Sequence, residues 1–423
     1  MHQEKRLTHG FKTAFTEQDQ FFDVMNSSSR WYYSLNGNSV GPFDAAAIRQ
    51  MIHAGIIPHE ERLIPEGGKD WIPVAGFLSA EVVVAAETPA SGATAILSNL
   101  SHRVSQASGL EKLENFSPRR FFSQVFGKHT PEEIEEHFTA GTRTTTPVLS
   151  SIQAVWPAPW AFFRILAASV ILAIGFYWAF QRFENPKLLP GWLFVGCFGI
   201  PFSVLLFFFE ANILRNVSFY RVIYLFAMGG LFSIILSLFL FEITSLSSWL
   251  GAMSAGIIEE SGKLLAVIFL TRHWKKDFWI LNGMLFGAAI GAGFAAFETA
   301  GYVMFSGQAE ETMVLRGFMA PFAHTIWTAA AVGALWRVKE NEPFQWKMLT
   351  DLRFLRIFGI VVALHFLWNS PIAIPLIGGM AGKTIFLLVL GLIGWLVVLM
   401  LVQAGIKQVA RKQTEGVDQS TAA

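Results

Sequence analysis

Along the chain the apolar positions fall into two regimes. From about residue 160 onward they form runs near 20 residues long, whereas the first 155 residues show short patterned stretches between polar segments. A helix crossing a bilayer needs about 20 mostly apolar residues. Eight such stretches can be marked, near 162–181, 188–209, 222–242, 248–271, 278–304, 317–336, 355–376 and 384–405. The expected fold class is therefore an all-α polytopic membrane protein of about eight transmembrane helices, preceded by a small α+β domain.

That small domain is read from residues 31–77. The aromatic stretch Trp31-Tyr32-Tyr33-Ser34-Leu35 runs into Asn36-Gly37, a strong hairpin turn signal. Beyond Gly41-Pro42-Phe43, Asp44 is placed to cap a helix whose apolar face is Ala47, Ile48, Met51 and Ile52, and a second β-like stretch leads to Trp71 and Pro73. The organisation that follows is an N-terminal tail over 1–30, the domain over 31–77 and an Ala/Ser/Val/Thr-rich flexible linker over 78–115. A juxtamembrane segment over 116–160, the membrane domain over 161–406 and a cytosolic tail over 407–423 complete it. Within the juxtamembrane segment Thr130 is set to cap a short charged helix. The first 20 residues hold no apolar run of signal-peptide length, so no cleaved leader is expected.

Charge fixes the expected direction of the spans. With the N-terminus in the cytosol, the inside flanks carry Arg164, Arg215, Arg221, Arg272, Lys275, Lys276, Arg337, Lys339, Lys347, Arg353, Arg356, Lys407, Arg411 and Lys412. The outside loops carry only Arg182, Lys187, Arg316 and Lys383. This asymmetry places both termini in the cytosol of a cell (inner) membrane protein. Composition agrees with the membrane reading: 53% of the 423 residues are hydrophobic and 15% charged, and the net charge of +1 gives no footprint for nucleic acid. The single cysteine, Cys197, excludes an internal disulfide and any metal site built on several thiolates, so a metal would be held by His and carboxylate.

Ionisable residues deep within spans are expensive and mark function. They occur in four consecutive spans: Glu259, Glu260 and Lys263 in the fourth, Glu298 in the fifth, His324 in the sixth, and His365 with Asn369 in the seventh. At a rise of 1.5 Å per residue, Glu259 and His365 should lie roughly 16 Å from the outer ends of their spans, and Glu298 and His324 about 10 Å. Glu259 with Lys263, Glu298 with Tyr302 and His365 with Asn369 are i, i+4 pairs, so each of these helices offers a paired polar edge. Singly, each residue could be a helix-to-helix hydrogen bond or a packed histidine; together they point to one site.

These residues carry a family resemblance. Glu259-Glu260-Ser261-Gly262-Lys263 resembles the EExxK motif of the PrsW family of intramembrane proteases, which is related to the CAAX prenyl proteases. Phe297-Glu298-Thr299-Ala300-Gly301-Tyr302 resembles its FExxxY motif, His324 its third-motif histidine, and His365-Phe366-Leu367-Trp368-Asn369 its HxxxN motif. The resemblance implies an intramembrane endopeptidase acting on membrane-anchored, single-span regulatory proteins such as anti-sigma factors. Its catalytic residues would be Glu259, Glu260, His324, His365, Glu298 and Asn369, supported by Lys263 and Tyr302. Glu259 would be the general base, His324 would position the water, and His365 with Asn369 would donate to the oxyanion. Metal dependence stays open: either no cofactor is needed, or zinc is held by Glu260, Glu298, His324 and His365. Thr328 is a candidate for the polar residue that follows the third-motif histidine.

Residues 31–77 resemble a bacterial GYF-like module, which implies a proline-rich cytosolic peptide as partner through Trp31, Tyr33 and Trp71; the same aromatics can equally be the core of a very small domain. Two other classes of function put Glu, His and Lys in mid-membrane or reuse such a helical core: a proton-coupled transporter and a non-catalytic membrane scaffold.

Overall fold

The structure is a computed structural model. It describes residues 30–77, except 36–37, 45–46, 49–50, 53–55, 59, 67, 69–70 and 76, and residues 92–421, except 115, 275–276, 306, 308 and 372–378. The chain divides into two units, residues 1–95 and 96–423.

In the first unit, β1 (Arg30–Leu35) and β2 (Asn38–Asp44) pair antiparallel with Leu35 opposite Asn38, as the hairpin pattern requires; Asn36 and Gly37 lie outside the described residues. β3 (Arg62–Pro65) pairs with the other edge of β1, and β4 (Ile72–Pro73) completes a sheet of order β2-β1-β3-β4. Asp44 caps as expected, its Oδ1 accepting from the Ala47 amide at 2.7 Å. Alternation along β1 sends Trp31 and Tyr33 inward. Both are buried, with Ile48, Ile52, Ile57, Leu63, Val74 and Phe77. Trp31 meets Phe77 edge-to-face at 4.8 Å. The peptide-binding expectation is thus corrected for two of its three residues: Trp31 and Tyr33 are spent on the core of a domain too small to spare them, and only Trp71 remains half-buried.

The second unit is helical. Its first helix, α1 (Gly92–Ser108), occupies much of the stretch that composition assigns to a linker, and Val104, Ser108 and Leu110 are buried. α2 (Pro131–Phe138) carries the capping box expected at Thr130, with Glu133 Oε2 accepting from the Thr130 amide at 2.9 Å. Then follow α3 (Ala161–Phe183), α4 (Pro186–Ala211), α5 (Phe219–Thr244), α6 (Ala255–Thr271), α7 (Ile280–Phe305), α8 (His324–Lys339), α9 (Leu352–Trp368) and α10 (Gly379–Thr421). Among the described residues, six helices are long and apolar enough to cross a membrane: α3, α4, α5, α7, a span over Leu315–Lys339 that includes α8, and one over Gly382–Glu415 within α10. The other two expected spans are the 17-residue helices α6 and α9. These carry Glu259, Glu260, Lys263 and His365, which dilute their apolarity.

α7 is the axis of the bundle, with 94% of its apolar window buried. Its Gly/Ala-rich sequence makes this possible, because small residues let backbones approach closely where no water drives association. A Cβ on Gly291 would lie 2.6 Å from the His324 carbonyl oxygen of α8, and one on Gly293 would meet the Phe226 carbonyl of α5. Gly256 of α6 plays the same part toward α9, where a Cβ would lie 2.7 Å from the Phe366 amide nitrogen. Glycines therefore set the distances between the helices that carry the four motifs. α3 is peripheral, and its buried N-terminus is held by Glu210, whose carboxylate accepts from the amides of Trp160, Ala161 and Phe162 at 2.9, 2.9 and 2.8 Å.

Candidate active site

Four helices bring Glu259, Glu260, Lys263, Glu298, His324 and His365 together. Lys263 is fully enclosed; its Nζ donates to Glu260 Oε1 at 2.5 Å and to His324 Nδ1 at 2.9 Å, and it lies 4.3 Å from the Phe294 ring centre. His365 Nδ1 is 2.8 Å from the same Glu260 oxygen. Its ring is stacked on Trp327 at 4.8 Å and faces the His324 ring edge-to-face at 4.9 Å. Beyond them His324 Nε2 lies 3.2 Å from Glu298 Oε2, and Glu298 pairs with Arg316.

These contacts fix the tautomers. An ammonium can only donate, so His324 Nδ1 presents its lone pair to Lys263 and the ring proton sits on Nε2, facing Glu298. His365 donates from Nδ1 to the Glu260 carboxylate, which leaves a lone pair on Nε2. That lone pair faces Glu259 Oε2 at 3.6 Å, an oxygen that is buried and has no hydrogen-bond partner among the described residues. Two acceptors thus confront each other across a gap that wants a proton, a water or a cation.

The gap opens on a cavity of about 960 Å³. Glu259, Glu298, His324, His365, Asn369, Tyr302 and Arg316 reach its wall, and Ile234, Leu238 and Phe241 of α5 form an apolar side. Glu260 and Lys263 lie behind this wall. Thr328 does not reach it: the residue faces α7, its Oγ1 2.8 Å from where a Cβ on Gly291 would be.

Several expectations are corrected here. Lys263 pairs with Glu260, three residues away, and not with Glu259. Adjacent helix positions point about 100° apart, so one glutamate of the pair turns toward the cavity and the other toward α8 and α9. Distances to the helix ends are shorter than expected for three of the four residues, although the apolar span that holds His324 begins at Leu315. Glu259 lies about 6 Å from the start of α6, His365 about 5 Å from the end of α9, and His324 is the first residue of α8; Glu298 keeps its expected 10 Å from the end of α7. Apolarity continues across breaks in the helices: Ser245 and Gly251 take positive φ, and a break at Ala323 precedes His324. With its Nδ1 proton on Glu260, neutral His365 turns a lone pair toward Glu259, so the expected donation to an oxyanion does not follow from this arrangement.

Arg316 is a residue of the cavity wall that the sequence pattern does not place there. Counted with an outside loop, it lies instead over the Tyr302 ring at 4.2 Å and pairs with Glu298. The available signal was Glu298 itself, a carboxylate within a span for which no cation had been named.

A divalent cation can be tested against these residues. Glu259, His324 and His365 each offer a ligand atom, and these atoms lie within 4.8 Å of one another. One carboxylate and two imidazoles form a donor set that zinc accepts; the orphaned Glu259 oxygen and the His365 Nε2 lone pair suit it, whereas His324, engaged by Lys263 at Nδ1, joins only by giving up its Nε2 proton. Glu260 and Glu298, expected among the ligands of a metal, are instead in contact with Lys263, His365, His324 and Arg316.

A bundle of apolar helices around a buried centre of carboxylates and histidines defines a polytopic membrane protein with a polar cavity between its helices. Residues 201–403 match the family model described as PrsW family intramembrane metalloprotease, and residues 31–77 match GYF domain 2. Residues 201–403 thus form a PrsW-family protease domain, and the chain is an intramembrane protease with an N-terminal GYF module. No curated protein and no solved structure matches the chain.

Proposed function

We propose that the cavity hydrolyses a peptide bond of single-span membrane proteins, of the anti-sigma-factor kind, in a cell (inner) membrane where both termini of the enzyme face the cytosol. The observation that carries this reading is the pair of facing acceptors, Glu259 Oε2 and His365 Nε2, 3.6 Å apart at the cavity wall. A water about 2.8 Å from each donates one hydrogen to each and turns its lone pair toward the cavity. Glu259 takes one proton as the water attacks the carbonyl carbon, and later delivers it to the leaving amine. The side chain of Asn369 and the hydroxyl of Tyr302, both at the wall, are the donors for the oxyanion. Glu260 and Lys263 hold the two histidines in the tautomers this requires.

Where a divalent cation is bound, Glu259 and His365 would hold it, joined by His324 once its Nε2 proton has left, and it would supply Lewis-acid polarisation of the carbonyl in place of the free Glu259 base. Apolar α5 residues along the cavity suit the side chains of a substrate segment arriving from the lipid. The GYF module recruits a proline-rich cytosolic peptide through the surface around Trp71.

Cleavage of reporters made from the host's own single-span proteins, in membranes holding the wild type or Glu259→Gln, tests this directly. Cut reporters with the wild type and intact ones with the variant support it. Equal cleavage by both removes Glu259 from the chemistry, and no cleavage by either returns the scaffold and transporter readings.

A further inference from the structure

The segment joining α7 to α8 is anchored on elements that contribute nothing else to the site. Glu310 accepts from Tyr177 Oη at 3.0 Å and from Gln181 Nε2 at 2.8 Å, both on α3. Met313 is buried against Cys197 and so near Gly196 of α4 that a Cβ there would lie 2.3 Å from its sulfur. Three residues later the same segment delivers Arg316 to Glu298. Glu298 in turn faces the Nε2 of His324, whose other nitrogen receives Lys263.

We propose that Arg316 is a positioning residue for the proteolytic site: by fixing the Glu298 carboxylate it holds His324 in the Nε2-protonated tautomer, and the α3–α4 anchor of its segment sets that geometry from outside the four motif helices. The inference rests on the proposed function for its catalytic consequence but not for its structural one. Lys263 and Glu298 engage opposite nitrogens of one ring, so the ring has no freedom while both remain in place. Without Arg316, Glu298 loses the cation that orients its carboxylate, and the second anchor of the ring is released. Residues that orient catalytic histidines in this way change activity by about 10- to 100-fold.

Two measurements test it. In metal-stripped protein labelled with ¹⁵N-histidine, His324, assigned by its absence in His324→Gln, should show one protonated and one unprotonated ring nitrogen. In Arg316→Gln the two should move toward an averaged position, and in Arg316→Lys, which keeps the charge, they should stay distinct. A His324 signal identical in all three overturns the proposal whether or not a substrate is ever cut. In the reporter assay Arg316→Gln should lower kcat by about 10- to 100-fold with KM little changed. The double variant Arg316→Gln/Glu298→Gln should be no worse than Glu298→Gln alone, because Arg316 acts through Glu298. A raised KM with unchanged kcat, or fully additive losses, would mean that Arg316 touches substrate, and the positioning role would fall.

Discussion

Gly291→Ala probes the close approach of α7 and α8 on which the placement of His324 depends. The added methyl would start 2.6 Å from the His324 carbonyl oxygen and 2.8 Å from Thr328 Oγ1. Ordinary carbon–oxygen contact begins near 3.4 Å, so α8 must retreat by about 0.8 Å at the residue that bears the ring. Overpacking of this size costs about 1–3 kcal/mol, and a shift near 1 Å in a reacting group costs up to about 100-fold in rate. Gly359→Ala, on α9, is the matched control, since its Cβ would meet nothing within 4 Å. Reporter cleavage and thermal unfolding in detergent should therefore separate the two: Gly291→Ala loses most of its kcat and some stability, while Gly359→Ala loses neither. Wild-type cleavage and stability in Gly291→Ala would refute the claim that glycine spacing positions His324.

Other consequences can be checked in parallel. Lys263→Met strands the fully buried Glu260 carboxylate and should destabilise the protein by about 3–5 kcal/mol, seen as a lowered Tm, with Lys263→Met/Glu260→Gln recovering much of the stability but not the cleavage. Cobalt(II) titrated into metal-stripped protein should bind to the wild type and bind poorly to Glu259→Gln and His365→Gln; affinities unchanged by both substitutions would dismiss that donor set. Deleting residues 1–77 should leave reporter cleavage intact while abolishing capture of proline-rich peptides. A deletion to residue 110 should instead impair the membrane unit, because it removes α1 and Leu110.

Much of the site was legible because buried charge is rare enough in apolar helices to stand out. Glu259, Glu298, His324 and His365 could be assigned to one site from their places along four consecutive spans, and the structure brings them together. The division of labour between Glu259 and Glu260 was not legible: a helical period says that neighbours diverge, but not which one meets the cavity. Arg316 was hidden by its position in a segment whose average hydropathy and place between spans read as loop. The distance of Glu259 from its helix start was overestimated because the hydrophobic run continues through Leu246–Leu250 and Gly251–Ser254, where the chain bends before α6 begins. In the N-terminal domain the hairpin and the Asp44 cap followed from turn chemistry, whereas the fate of Trp31 and Tyr33 depended on which face of β1 the rest of the small core would cover.

The central claim is that Glu259 and His365 act on water at the cavity wall to cut a membrane-embedded chain. Its most direct test is purified enzyme reconstituted in liposomes with one single-span reporter, with the products identified by mass spectrometry. The account predicts a new pair of termini close to the outer end of the reporter's span, formed by the wild type and absent with Glu259→Gln and His365→Gln. Termini that also form with Glu259→Gln, or cleavage confined to the cytosolic side, would contradict it.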